Sequence, residues 1–330
     1  MVSNLIRSLT DAGLEPVSLN EKLVVMPFGG RVLALQPDAE TNVFWVNPQL
    51  KSAAGARAFQ EAEGWLNSGG DRTWIYPEIE TNGDPAKWEG YFVPRAMDPA
   101  NYAIVESNKE SVTLQSRINL PFRKTEVNIP FSVTKRIETL SAPPSDIPTH
   151  VDYAGFSLET RIDAEDEIPE GIRPGSWSIL QVDGGGELTV PMSSSIPPHN
   201  FFNTSVYRIE GNVLKCRYKT DESFKFCIRA GNCTGKMFYL NKIGDRSTLI
   251  FRTFDVFDED RYGDYPSDDH SDTGYVQMFY VDDGGLGGFG ELEHQSPSLA
   301  DGRVSDRCDT HAFIGTDQDV MSILEALTNQ

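Results

Sequence analysis

From Tyr102 onward the chain alternates apolar and polar residues with a period of two through most of its length. Runs such as Y-A-I-V-E-S, S-V-T-L-Q-S-R-I and N-I-P-F-S-V-T-K-R-I-E-T-L are separated by polar turns at spacings of ~8–12 residues. Successive side chains of a strand point to opposite faces, so each run can bury one face and wet the other. The pattern continues at Gly155–Ile162, Ser176–Val182, Glu187–Val190, Val206–Ile209, Val213–Tyr218, Phe224–Ala230, Lys236–Leu240, Thr248–Phe257 and Tyr275–Val281. It predicts an all-β fold of antiparallel sheets packed face to face. Upstream, Leu23–Met26 and Arg31–Gln36 flank Phe28-Gly29-Gly30, and Asn42–Val46 reads as a further strand. Helical spacing is confined to Asn4–Ala12, Ala53–Asn67 (weakened by Gly64) and Gln318–Leu327. Ser68–Glu78, S-G-G-D-R-T-W-I-Y-P-E, reads as a loop.

The Pro-rich stretch Ala142–Pro148 is the best candidate boundary, yet strands of one type lie on both sides. The expectation is one domain over residues 1–330, long enough for a substantial core. A net charge of -20 argues against nucleic acid or an anionic membrane as partner, since both need basic patches. The opening M-V-S-N-L-I-R-S-L-T lacks a charged region followed by an apolar one, and no apolar run approaches ~18 residues. A cytoplasmic location is expected. If Thr220–Ser223 closes a hairpin, Cys216 falls opposite Cys227; reduced thiols are expected there. The acidic stretch Asp255–Asp272 departs from the 12-residue calcium-loop spacing, so no metal and no cofactor is expected.

The segment Phe289–Leu299 is F-G-E-L-E-H-Q-S-P-S-L. On an extended strand, Glu291, Glu293 and Gln295 share one face, which either meets solvent or lines a polar pocket. Arg72 and Trp74 share a face of their extended segment, with Glu78 nearby. An arginine beside an indole suits a sugar, offering hydrogen bonds and a stacking surface. Trp177 and Gln181 share strand parity.

Several stretches, in order, resemble the aldose 1-epimerase (galactose mutarotase-like) superfamily of β-supersandwich proteins. They are F-G-G-R-V-L-A-L-Q-P-D-A-E-T-N-V-F-W-V-N-P (Phe28–Pro48), G-G-D-R-T-W-I-Y-P-E (Gly69–Glu78), and R-P-G-S-W-S-I-L-Q-V with G-G-E-L-T-V-P (Arg173–Pro191). The last, L-E-H-Q-S-P (Leu292–Pro297), is similar to the strand carrying the epimerase general base, which makes Glu293 the equivalent glutamate. The resemblance implies a β-supersandwich with a cleft for a small sugar or oligosaccharide. That cleft would be lined by Arg72, Trp74, Glu78, Trp177, Gln181, Glu291 and Glu293.

Departures are equally plain. Aldose epimerases use two histidines beside the glutamate, and no histidine precedes His150 here. His199, in H-N-F-F-N, is the nearest counterpart of the second. His150 reads as an exposed loop residue and His294 as structural; His270 and His311 receive no role. Mutarotation needs a base for the anomeric hydroxyl and an acid for the ring oxygen. Glu293 suits the base, with Glu291 raising its pKa by like-charge repulsion. A glycoside hydrolase or a lyase on the same scaffold, and a sugar-binding protein without catalysis, are the alternatives.

Overall fold

A computed structural model of the chain describes residues 2–83, 90–123, 125–144, 147–201, 206–258, 261–264 and 274–329. The chain opens with α1 (Val2–Asp11), β1 (Val17–Leu19), β2 (Leu23–Met26) and β3 (Arg31–Leu35). After α2 (Ala53–Glu61) come β4 (Asp71–Tyr76) and the single turn α3 (Glu78–Thr81). The strands β5 (Ala103–Ser107), β6 (Ser111–Phe122), β7 (Val127–Thr139) and β8 (Asp152–Ala164) follow. Next are β9 (Gly175–Asp183), β10 (Glu187–Pro191), β11 (His199–Asn200), β12 (Tyr207–Glu210), β13 (Val213–Arg217) and β14 (Phe224–Arg229). The chain ends with β15 (Lys236–Ile243), β16 (Arg246–Phe254), β17 (Tyr275–Val281), β18 (Phe289–Ser298), β19 (Arg303–Gly315) and α4 (Asp317–Thr328).

The strands form two antiparallel sheets. One has nine strands in the order β1-β2-β3-β4-β9-β18-β17-β14-β11; the other has ten, β12-β13-β10-β15-β16-β19-β8-β7-β6-β5. Their facing surfaces bury the main core, including Leu180, Leu292, Phe279, Phe156, Leu158 and Phe131. The outer faces are treated differently along their width. Helices α1 and α2 cover β2 and β3, burying Leu9, Ala56 and Phe59 against Val24, Met26 and Leu33. Helix α4 seals the second sheet with Val320, Ile323 and Leu327 on Phe238, Leu249 and Phe313. Its start is fixed by the Thr316 hydroxyl, which accepts the Asp319 N–H. The outer face of β4, β9, β18, β17 and β14 is left for a cleft.

Three expectations change. Ser68–Glu78 is not simply a loop: Asp71–Tyr76 is a strand in the middle of the nine-stranded sheet, paired with β9 from Asp71↔Leu180 to Tyr76↔Gly175. Its charges are paired at distance; Asp71 meets the Arg252 guanidinium of β16 at 2.9 Å. Asn42–Val46 forms no strand and contributes only the bridge Val46↔Gly69. Cys216 and Cys227 are not opposite one another. Strand β13 lies in the ten-stranded sheet and β14 in the nine-stranded one, so Cys216 faces Leu188 and Tyr207 while Cys227 faces Met278 and His199. The burial patterns explain it: β13 alternates, whereas β14 is buried on both faces through Ile228 and belongs inside a sheet. No cysteine forms a disulfide. Helix α2 ends at Glu61, before Gly64, whose φ of +80° no helix accommodates. Much of Asp255–Asp272, with His270, lies outside the described residues.

Candidate functional site

Directly opposed residues in an antiparallel sheet share a face, so the pairing registers can be followed as rows across up to six strands. One row runs Trp74–Trp177–Gln295. The next runs Arg72–Ile179–Glu293–Met278–Cys227–His199. A third runs Gln181–Glu291–Tyr280–Lys225. These rows form the outer face of the sheet. Residues of the opposite parity, such as Asp71, Ser178, Leu292 and His294, face the second sheet. The registers thus place Arg72, Trp74, Trp177, Gln181, Glu291 and Glu293 on one face of the sheet.

The face opens into a cavity of about 440 Å³. Its walls are Trp65, Trp74, Trp177, Tyr91, Phe92 and Tyr280, with Arg72, Glu78, Lys225 and Glu291 among them. Indoles Trp65, Trp74 and Trp177 follow one another edge to face, at 5.8 and 5.4 Å. The Arg72 guanidinium lies 4.4 Å from the Trp74 ring and 5.0 Å from Trp65. Beneath them Asp98 acts as a pin. It accepts both indole N–H groups, from Trp65 at 2.8 Å and Trp74 at 3.0 Å, and pairs with Arg31 at 2.7 Å.

Glu291 Oε1 accepts from Arg72 Nη2 and from Gln181 Nε2, each at 2.8 Å. Glu293 is fully buried beside the cavity, and its Oε2 accepts the Trp177 indole N–H at 2.7 Å. Burial first, and the Glu291 charge second, push the Glu293 carboxyl up to about 8, against the smaller opposing pull of Lys225. Two neighbouring carboxyls on one strand therefore sit in divergent environments: one is ion-paired, and burial favours the protonated form of the other. Glu293 Oε1, Gln181 Oε1 and Arg72 Nε and Nη1 have no hydrogen-bond partner among the described residues.

Glu78, at the start of α3, joins the second polar cluster. Its carboxylate accepts from Lys225 Nζ at 2.6 Å and from the Tyr91 hydroxyl at 2.9 Å. Desolvation works against the Lys225 ammonium, but Glu78 and Glu293 outweigh it and hold its pKa above the ordinary value. Asp264 accepts the Glu78 N–H at 3.2 Å and binds the Gln295 amide. Burial raises its carboxyl to about 7.

His199 is the exception. It shares a row with Glu293 but stands on the edge strand β11, three strand spacings away, or about 14 Å. Its exposed ring packs on Phe201 and Tyr275 and borders a separate pocket. A general acid must come within about 3 Å of its target, so His199 is not part of this site. His294 points the other way, to Asp306 at 2.8 Å, and its ring stacks on Phe254. His150 is exposed beside Asp319. Among the described residues no histidine lines the cavity and no group of His, Cys, Asp or Glu is placed to hold a metal. The sequence reading missed Lys225, Tyr91, Trp65, Tyr280 and Asp98. Lys225 left a trace, a lysine inside the apolar run F-K-F-C-I. Trp65, Tyr91 and Asp98 lie in aperiodic segments whose partners are remote in sequence.

No protein-family model and no curated protein matches the chain. Among solved structures it is similar to an Escherichia coli K12 protein provisionally assigned as an aldose 1-epimerase: 11% identity, TM-score 0.51, over 92% of this chain and 99% of that one. A galactose mutarotase related enzyme from Lactobacillus acidophilus gives 9% identity and a TM-score of 0.46, over 93% and 99%. An aldose epimerase homologue from C. elegans gives 11% and 0.45, over 92% and 99%. No helix among the described residues is long and apolar enough to cross a membrane. Two large antiparallel sheets in the arrangement of the E. coli structure give this chain the galactose mutarotase-like sandwich fold.

Proposed function

We propose that the protein binds a small sugar in this cleft and interconverts it by proton transfer, as a mutarotase- or epimerase-like isomerase. The observation that carries the reading is the carboxyl pair with divergent environments at an aromatic-walled cavity. A carboxyl whose proton is favoured by burial, beside one held in an ion pair, divides the two into acid and base. Glu291 spends Oε1 on Arg72 and Gln181, which leaves Oε2 to take the anomeric hydroxyl proton. Glu293 holds a proton at neutral pH and has Oε1 unspent for the ring oxygen. The resemblance casts Glu293 as the base; its surroundings favour the acid, with Glu291 as the base. The indoles supply flat apolar faces for the sugar's C–H surfaces. Turnover then falls as pH rises through about 8, where Glu293 loses its proton.

A second reading, sugar binding without turnover, is favoured because no histidine among the described residues lines the cavity. A thermal-shift screen with neutral sugars, uronates and short oligosaccharides, followed by polarimetry on any hit, separates the two. A sugar that binds only the folded state raises the unfolding midpoint. Binding with mutarotation that Glu291→Gln abolishes supports the isomerase. Binding without mutarotation leaves the second reading, and no shift with any sugar sinks both.

A further inference from the structure

Large apolar side chains left in solvent at the mouth of a cavity call for a partner. Phe92 is 42% exposed and Leu286 41%, and both border this cavity. They come from unrelated segments, and each is held rigidly. The Phe92 ring is backed by the Arg123 guanidinium at 4.1 Å, and Arg123 is itself fixed by two donations to the Gly90 carbonyl at 3.2 Å. The Phe92 N–H donates to the Asn82 carbonyl. Leu286 sits on the turn 283–288, gathered around one carboxylate oxygen. Asp282 Oδ2 accepts the N–H groups of Gly284, Leu286 and Gly288 at 3.0, 2.9 and 2.8 Å. Gly287 lies so close over Trp45 that a Cβ would come within 2.6 Å of the indole. Braced apolar groups lose little entropy when a ligand covers them, which is how a stacking platform gains affinity.

We propose that this rim is a second sugar subsite. The ligand is an oligosaccharide whose reducing-end ring enters the cavity while the adjoining ring lies on Phe92 against Leu286. The orientation follows from the chemistry: proton transfer at an anomeric hydroxyl needs that hydroxyl free, so the linked ring must be the outer one. The proposal rests on the reading of the cleft as a sugar site.

The test is calorimetric titration of the full chain with glucose, maltose and maltotriose, with the corresponding cellulose- and xylan-derived pairs, and with each disaccharide reduced to its alditol. The readout is the ratio of disaccharide to monosaccharide affinity. The expected ratio is about tenfold or more. Phe92→Ala brings it close to unity, Arg123→Ala narrows it by loosening the ring, and reduction to the alditol abolishes the gain. Phe92 is half exposed, so its loss does not threaten folding. Equal affinity for mono- and disaccharides, or a ratio indifferent to Phe92→Ala, overturns the second subsite and leaves the cleft reading intact. Failure of every sugar to bind overturns both.

Discussion

The two faces of β18 use the same kind of residue to opposite ends. On the inner face, Arg252 reaches Asp71 and the Ser178 hydroxyl at 2.9 Å and the Leu292 carbonyl at 2.7 Å, and His294 meets Asp306. Protein closes over these groups on every side. On the outer face, Arg72 and Glu291 form a pair nearly as buried, but a cavity lies in front of it; unspent polar atoms occur on both sides, Arg72 Nε and Nη1 here and Arg252 Nε on the inner face. A buried ion pair surrounded by protein specifies how sheets register. One that borders a cavity has a side open to whatever enters it, which is the feature the proposed function uses.

The inner network gives the largest effect. Arg252→Met strands the Asp71 charge in the core, and urea denaturation should show a loss of about 3–5 kcal/mol. Replacing both partners by apolar residues should recover much of it, which a structural pair permits and a ligand site does not. The outer face should answer in turnover rather than stability. On the proposed mechanism Glu291→Gln removes the base and should lower the mutarotation rate about 10²-fold or more, as polarimetry would register.

Adjacent residues separate the faces by pH. The folded state raises His294 from 6.5 to about 9: desolvation opposes the charge, but Asp306 and Cys308 outweigh it. This contribution to stability is fully present below pH 6.5 and is lost as pH rises through 9. Glu293 is raised by burial from 4.5 to about 8, so its contribution is lost between those values. His294→Gln should flatten the stability profile in the upper window and Glu293→Gln in the lower, each on the order of 1–3 kcal/mol. The smallest effect belongs to the surface. Lys242 and Asp317 are 71% and 52% exposed, and Lys242→Ala should change the unfolding free energy from urea denaturation by no more than about 0.5 kcal/mol.

Much of this molecule can be read from strand parity alone. The period-two runs predict the sheets, and the same rule puts Glu291 with Glu293 and Arg72 with Trp74. What parity cannot supply is which strands become neighbours. Asp71–Tyr76 looked like a loop because its charges find partners 181 and 219 residues away, in Arg252 and Glu291. Cys216 and Cys227 looked paired because a short connection suggested a hairpin, whereas the chain crosses between sheets there. His199 looked like a partner for Glu293 because a local motif carries no information about two intervening strands.

Asp98 sets how this binding wall can change over many generations. One carboxylate holds Arg31, Trp65 and Trp74, so altering either indole disturbs the anchor of the other, and altering Asp98 strands a buried arginine. Substitution is thereby structurally costly inside the wall and cheap at Phe92 and Leu286, which share none of these bonds. A laboratory selection for a changed ligand preference of the cleft should accumulate its first accepted substitutions at the mouth, with the three-way anchor unchanged.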